Sequence, residues 1–117
     1  MDRSWAEIDE RLIEAGGGLV IVWHVYNGVM VEKREYALKN SFFSHWREID
    51  NEAWIDARNR KPTHDDADEY GCVLSRNMWG EASVAGWHRF EREPYLVAWQ
   101  HVPDPPDNYR ELRKRPF

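Results

Sequence analysis

At 117 residues, with 42% apolar and 32% charged side chains, the chain has the composition of one globular domain, large enough to bury a core without disulfides or a metal. No run approaches the roughly 18 apolar residues of a membrane span, no basic segment leads into an apolar one as an export signal would, and the single cysteine excludes an internal disulfide, in keeping with a reducing cytoplasm. The net charge of −5 argues against a general nucleic-acid backbone binder, which needs a basic face, with a local basic tail as the one exception.

In chain order, Ser4-Trp5-Ala6-Glu7 has the form of a capping box, and Trp5, Ile8 and Leu12 follow at helical spacing, so a short amphipathic helix is expected over residues 5–15. Gly16-Gly17-Gly18 then stops it. Leu19 to Val31 is the most apolar stretch and reads as a β-hairpin, its arms joined by Asn27-Gly28, a pair suited to a type I′ turn. The first arm is apolar on both faces apart from His24 and belongs inside a sheet; the second turns polar after Val31. Lys33 to Asn40 is charged and is expected to run along the surface before a third strand, Ser41 to Trp46.

Residues 47–61 admit two readings, a helix capped by Asp50 or an extended start at Trp54-Ile55. Thr63 is placed to cap a brief helix whose acidic residues suit the positive end of the helix dipole and which Gly71 ends. Cys72–Trp79, Ala82–Phe90 and Tyr95–Val102 read as strands, closed by Pro103, Pro105 and Pro106.

The two halves align without a gap. Sliding residues 18–50 onto 71–103 puts Gly18 on Gly71, Val20 on Val73, Tyr26 on Trp79, Phe42 on Tyr95 and Trp46 on Trp99. A fixed period signals a repeated supersecondary unit. The expected architecture is therefore α+β, a single domain over 1–117 with halves 1–53 and 54–106, each a short helix followed by a three-stranded antiparallel meander. The halves share one core, and residues 107–117 form a basic tail carrying Arg110, Arg113, Lys114 and Arg115.

Residues 54–106 also carry Trp54-Ile55, Pro62-Thr63, Asp66-Ala67-Asp68 running into Gly71-Cys72-Val73-Leu74, and a closing Trp99 followed by Pro103, Pro105 and Pro106. In these features the segment resembles the small phage and prophage family catalogued as domain of unknown function 551. That family ends in a His-Trp pair and a proline-rich exit; here the second half has Ala98-Trp99 and the first has His45-Trp46. The resemblance implies a small phage-encoded accessory protein in a bacterial cytoplasm and brings no activity with it.

The residues write out no reaction. The five histidines (His24, His45, His64, His88, His101) lack the close spacing of a zinc site, so no metal or cofactor is expected; Asp65, Asp66 and Asp68 read as a solvated helix start. Cys72 opens an apolar strand, where a buried inert thiol is the ordinary outcome, and the three glycines at 16–18 follow a helix rather than precede one, unlike a phosphate loop. What stands out is seven tryptophans with five tyrosines and four phenylalanines, more than a small core needs. The expectation is a non-enzymatic protein, monomer or homodimer, that inhibits or modulates a host or phage protein through a Trp-rich face and touches no membrane. The alternative is a nucleotide or cyclic-dinucleotide binder using stacked Trp and Arg. Candidate binding residues for either are Trp23, Trp79, Trp87, Arg76 and Arg89.

Overall fold

The computed structural model describes residues 5–9, 12 and 18–107. The chain divides into two compact units, one of Met1–Ile49 with Asp104–Phe117 and one of Asp50–Pro103. The basic tail and most of the glycine run lie outside the described residues.

Unit 1 is a four-stranded antiparallel sheet of β1 (Ala6–Glu7), β2 (Leu19–His24), β3 (Gly28–Lys33) and β4 (Phe43–Arg47), in the order β1-β4-β2-β3. Val20, Ile21, Val22 and Trp23 are all buried, so β2 is covered on both faces as its composition requires. Val20 and Val22 join Leu12, Ala37 and Phe43 in the core. Polar Glu32 and Lys33 leave β3 at the sheet edge.

Unit 2 has β5 (Ile55–Asp56), β6 (Cys72–Asn77), β7 (Ala82–Gly86) and β8 (Leu96–Gln100) in the order β5-β8-β6-β7. Its core is Ala57, Val73, Phe90, Leu96 and Trp99. The Trp99 ring is fully buried, donates from Nε1 to the Arg60 carbonyl (2.8 Å) and lies 4.9 Å beneath the Arg60 guanidinium.

The two sheets are built alike, pair by pair. Ile21↔Arg47, Val22↔Trp46 and Trp23↔His45 in unit 1 have Leu74↔Gln100, Ser75↔Trp99 and Arg76↔Ala98 as counterparts, and the register slips at the same place, after Trp23 and after Arg76. The Arg34 amide donates to the Gly18 carbonyl as Trp87 does to Gly71. Both glycines hold positive φ, 104° and 77°, a conformation a side chain would strain.

Several expectations change. Ala6–Glu7 pair with β4 as a strand, so the helix expected from residue 5 does not begin there; Leu12 is helical, and residues 10–11 and 13–17 lie outside the described residues. A free edge beside β4 takes up Ala6–Glu7 and outweighs the helical spacing. Neither half is a helix followed by a meander. β4 pairs with β2 and β8 with β6; in unit 1 the strand apolar on both faces takes the inside position and the half-polar β3 the edge. The connection that crosses over carries an unforeseen helix, α1 (Arg34–Lys39), in unit 1, and a 3-10 turn (Trp87–Glu91) in unit 2 that ends the expected Ala82–Phe90 strand at Gly86. Helix α1 has no side-chain cap; it is held by Ala37 in the core and by the buried Arg34. That guanidinium donates to the Leu12 carbonyl (3.3 Å) and to both carboxylate oxygens of Glu48, 5.7 Å from the Trp46 ring. Of the two readings of residues 47–61, the extended one describes Ile55–Asp56, while Asp50 accepts from the Glu52 amide in a turn. The brief helix after Thr63 is a 3-10 turn, His64–Asp66.

Candidate partner-binding site at the hairpin tips

Of the seven tryptophans only Trp79 stands in solvent, at 68% exposure. It sits in the loop between β6 and β7 beside Met78, which is also exposed. The loop is built to hold this ring out. The Asn77 amide donates to the Glu81 carbonyl and the Asn77 Oδ1 accepts from the Trp79 and Glu81 amides, each at 3.0 Å. Gly80 takes a φ of 83°, which closes the turn. The Trp79 ring packs 5.9 Å from Tyr95, whose hydroxyl donates to Glu93 (2.7 Å), a carboxylate also held by Arg89.

Unit 1 carries the same device at the positions the alignment equates. Tyr26 replaces Trp79 and Phe42 replaces Tyr95, their rings 5.7 Å apart and both exposed. The Val25 amide donates to the Phe42 carbonyl as the Met78 amide does to Tyr95. His24 stands where Asn77 does, its Nδ1 accepting from the amides of Tyr26 (3.2 Å) and Asn27 (3.1 Å). Its ring stacks on Phe42 at 5.5 Å. Because His24 pairs with Gly28, three residues rather than two form the loop, with a positive φ on Gly28 (81°), so the two-residue type I′ turn expected at Asn27-Gly28 is not formed.

Burial holds the His24 pKa below its usual value, so the ring is neutral and Nδ1 is free to accept. Protonation would turn Nδ1 into a donor facing two donors. A folded pKa below the unfolded 6.5 means the contribution is present above pH 6.5 and is lost as pH falls through the folded value. Amide exchange measured by NMR should therefore quicken at Tyr26 and Asn27 relative to the chemical rate as pH is lowered from 7 to 5. Trp79 and Glu81, held by Asn77, should show no such change.

The candidate residues separate into three fates. Trp23 is 2% exposed, edge-on to Trp5 at 6.2 Å, and is not a surface anchor: it shares with Ile21 the face of β2 opposite Val20 and Val22, and that face is covered too. Trp87 packs half-buried against the unit 2 core, with His64 and His88 on its edge. Arg76 covers the Trp54 ring at 5.1 Å, and Arg89 holds Glu93 and reaches the Tyr95 hydroxyl (3.4 Å). Trp79 and Arg89 thus meet through Tyr95. His24, Tyr26, Phe42, Met78 and Tyr95 were not singled out; the matching of Tyr26 with Trp79 and Phe42 with Tyr95 was the signal that pointed to them.

Asp65 is exposed, as a solvated helix start would have it, but Asp66 and Asp68 are committed to the fold. Asp68 accepts from the Tyr70 and Cys72 amides, and Asp66 from Thr63, Arg60 and His101. Burial and the Asp68 charge raise the Cys72 pKa, so its thiol stays protonated and unreactive. Among the described residues no three His, Cys, Asp or Glu side chains are grouped to hold a metal ion, and no helix is long and apolar enough to cross a membrane. Comparison with known proteins found no matching family model, no matching curated protein and no matching solved structure.

Proposed function

We propose that this chain works by binding: a small accessory protein of phage type, active in a bacterial cytoplasm as monomer or homodimer, that inhibits or modulates a host or phage protein through its aromatic hairpin tips. The resemblance of residues 54–106 to a phage family favours the setting. The two units are read as copies of one unit, each once a helix and three strands, with Gly18/Gly71 and the shared slip in register as its traces.

One observation carries the reading. An exposed ring, Tyr26 or Trp79, stands at the same position in both units, set against a second aromatic ring and on a loop fixed by a side-chain acceptor, although neither Tyr26 nor Trp79 contributes to a core. Large rings held out in solvent have no folding purpose, and pre-ordered Trp and Tyr are the residues that anchor protein interfaces, since little side-chain entropy remains to be lost on binding. The alternative, a nucleotide held between Trp and Arg, is left with Trp79 and Arg89, which meet through Tyr95, since Arg76 already covers the Trp54 ring.

The test is affinity capture from a host lysate with the full chain and with Tyr26→Ala and Trp79→Ala, alongside thermal melts with added nucleotides. A protein retained by the wild type and lost with Trp79→Ala, while the melting curve is unchanged, is the expected result. Retention indifferent to both substitutions, or a melting temperature that climbs with nucleotide concentration, would move the function away from the tips.

A further inference from the structure

Unit 1 has a second surface, independent of its tip, where the chain's own last described residues are seated. Asp104–Pro105–Pro106–Asp107 belong to this unit although they follow unit 2 in sequence. The Trp5 indole donates from Nε1 to the Asp104 carbonyl at 2.7 Å, and Pro106 is buried while its neighbours are exposed. The arm and the sheet residues Trp5, Glu7, His45 and Arg47 together line an open groove of about 690 Å³. The Arg47 guanidinium covers the Trp5 ring at 5.6 Å, and Glu7 and His45 face each other across the β1–β4 pair.

The chemistry of the arm defines what the groove accepts. Proline fixes φ near −65° at residues 105 and 106, and a residue preceding proline is held extended, which applies to Asp104 and Pro105. Such a segment comes pre-ordered, with bare carbonyls and few amide donors. An aromatic groove that offers an indole N–H to a carbonyl just ahead of a proline pair is the recognition mode used for proline-rich peptides. The contact is not simply what this sheet position needs in order to pack. Trp54 fills the matching position in unit 2, flanking the strand that pairs with β8 as Trp5 flanks the one that pairs with β4, and its Nε1 is buried with no hydrogen-bond partner.

We propose that the Trp5 seat in this groove is a docking site for a proline-rich segment flanked by acidic residues on a partner protein, and that the Asp104–Asp107 arm holds that seat in cis as a competitor. Arg47 and His45 line the groove on the sheet side and Asp104 and Asp107 on the arm side, so the acidic flanks of such a segment would share the groove with two basic side chains and with Glu7.

Tethering gives the arm a local concentration in the millimolar range, so an external peptide must compete with it. The test uses full-length ¹⁵N-labelled chain, wild type and Pro105→Ala/Pro106→Ala, titrated with the acetylated peptide Val-Pro-Asp-Pro-Pro-Asp and with its version carrying alanine for the last two prolines, while the Trp5 indole N–H is followed by NMR. In the arm variant the Trp5 signal should leave its wild-type position and return as peptide is added, with an affinity at least about tenfold tighter than wild type shows. Trp5→Phe in that background, followed through the backbone amides of Glu7 and His45, should weaken the peptide about three- to tenfold, the effect of one lost hydrogen bond. A Trp5 signal indifferent to the arm substitutions, no shift on adding peptide, or equal binding of the alanine peptide would overturn the proposal. Should the variant lose the dispersed Trp23 signal and so its fold, the wild type taken to millimolar peptide decides: a saturable Trp5 shift supports the site and its absence removes it.

Discussion

Trp23→Ala should lower the stability of unit 1 by about 3–5 kcal/mol, and Trp99→Ala that of unit 2 by a similar amount, whereas Trp79→Ala should change either by no more than about 0.5 kcal/mol. The difference lies in where the rings sit. Trp23 and Trp99 are 2% and 0% exposed, so truncation leaves a cavity the size of an indole between strands that cannot close on it, and Trp99→Ala also strands the Arg60 carbonyl and guanidinium that its ring occupies. Trp79 is 68% exposed and its loop is held by Asn77 through backbone amides, which truncation leaves in place. A domain of this size is stable by about 5–15 kcal/mol, so either core substitution removes a large part of the total. Urea titration followed by far-UV circular dichroism checks all three variants; equal midpoints for Trp23→Ala and wild type would mean that Trp23 is not in the core.

The same comparison shows how far the sequence could be read. The run Leu19 to His24 announces an inside strand because it is apolar on both faces, and Gly18 and Gly71 mark the entries to β2 and β6 because they alone tolerate the required φ. The partner of β2 was not legible. Pairing with β4 is a non-local choice, decided by which strand can be buried on both sides, and the local order of hairpin and third strand suggests a meander instead. Helix α1 was hidden for a related reason: Arg34–Lys39 is charged and uncapped, and its stability comes from Ala37 and from a buried arginine whose partners, Leu12 and Glu48, are distant in sequence. Seven identical letters likewise conceal seven environments. Trp23 and Trp79 read alike as β-strand tryptophans, and only the end of the β6 ladder at Arg76 separates the buried one from the exposed one. What the sequence did hold was the doubled aromatic pair, Tyr26 with Phe42 and Trp79 with Tyr95. Its meaning needed the loops that lift these rings out of the core.

Acid should destabilise unit 2 chiefly through one carboxylate, Asp66; Asp56 and Glu93 are also held below their usual values, by Arg58 and by Arg89, but on the surface where water screens them. Burial by itself would raise the Asp66 pKa, but the Thr63 amide (2.8 Å), the Arg60 guanidinium (2.8 Å), the Thr63 hydroxyl (3.0 Å) and the His101 ring (3.3 Å) all surround its charged form and bring it down to about 2. The folded value lies below the unfolded 3.8, so the stabilisation is complete above pH 3.8 and is lost as pH falls toward 2. The consequence reaches the core because Arg60 is the residue that Asp66 fixes, and the Arg60 guanidinium and carbonyl bracket Trp99. Asp66→Asn keeps one acceptor oxygen and the shape of the side chain while removing the charge, and should destabilise unit 2 by about 2–3 kcal/mol at pH 7, the size of charge-assisted hydrogen bonds at a nearly buried group. Asp65→Asn is the control, since that side chain is 99% exposed. Urea midpoints measured at pH 7, 4 and 2.5 should fall steeply for the wild type only below pH 4, and much less for Asp66→Asn, which has already lost the charge that acid removes. Parallel curves for the two proteins would place the acid-sensitive group elsewhere in the chain.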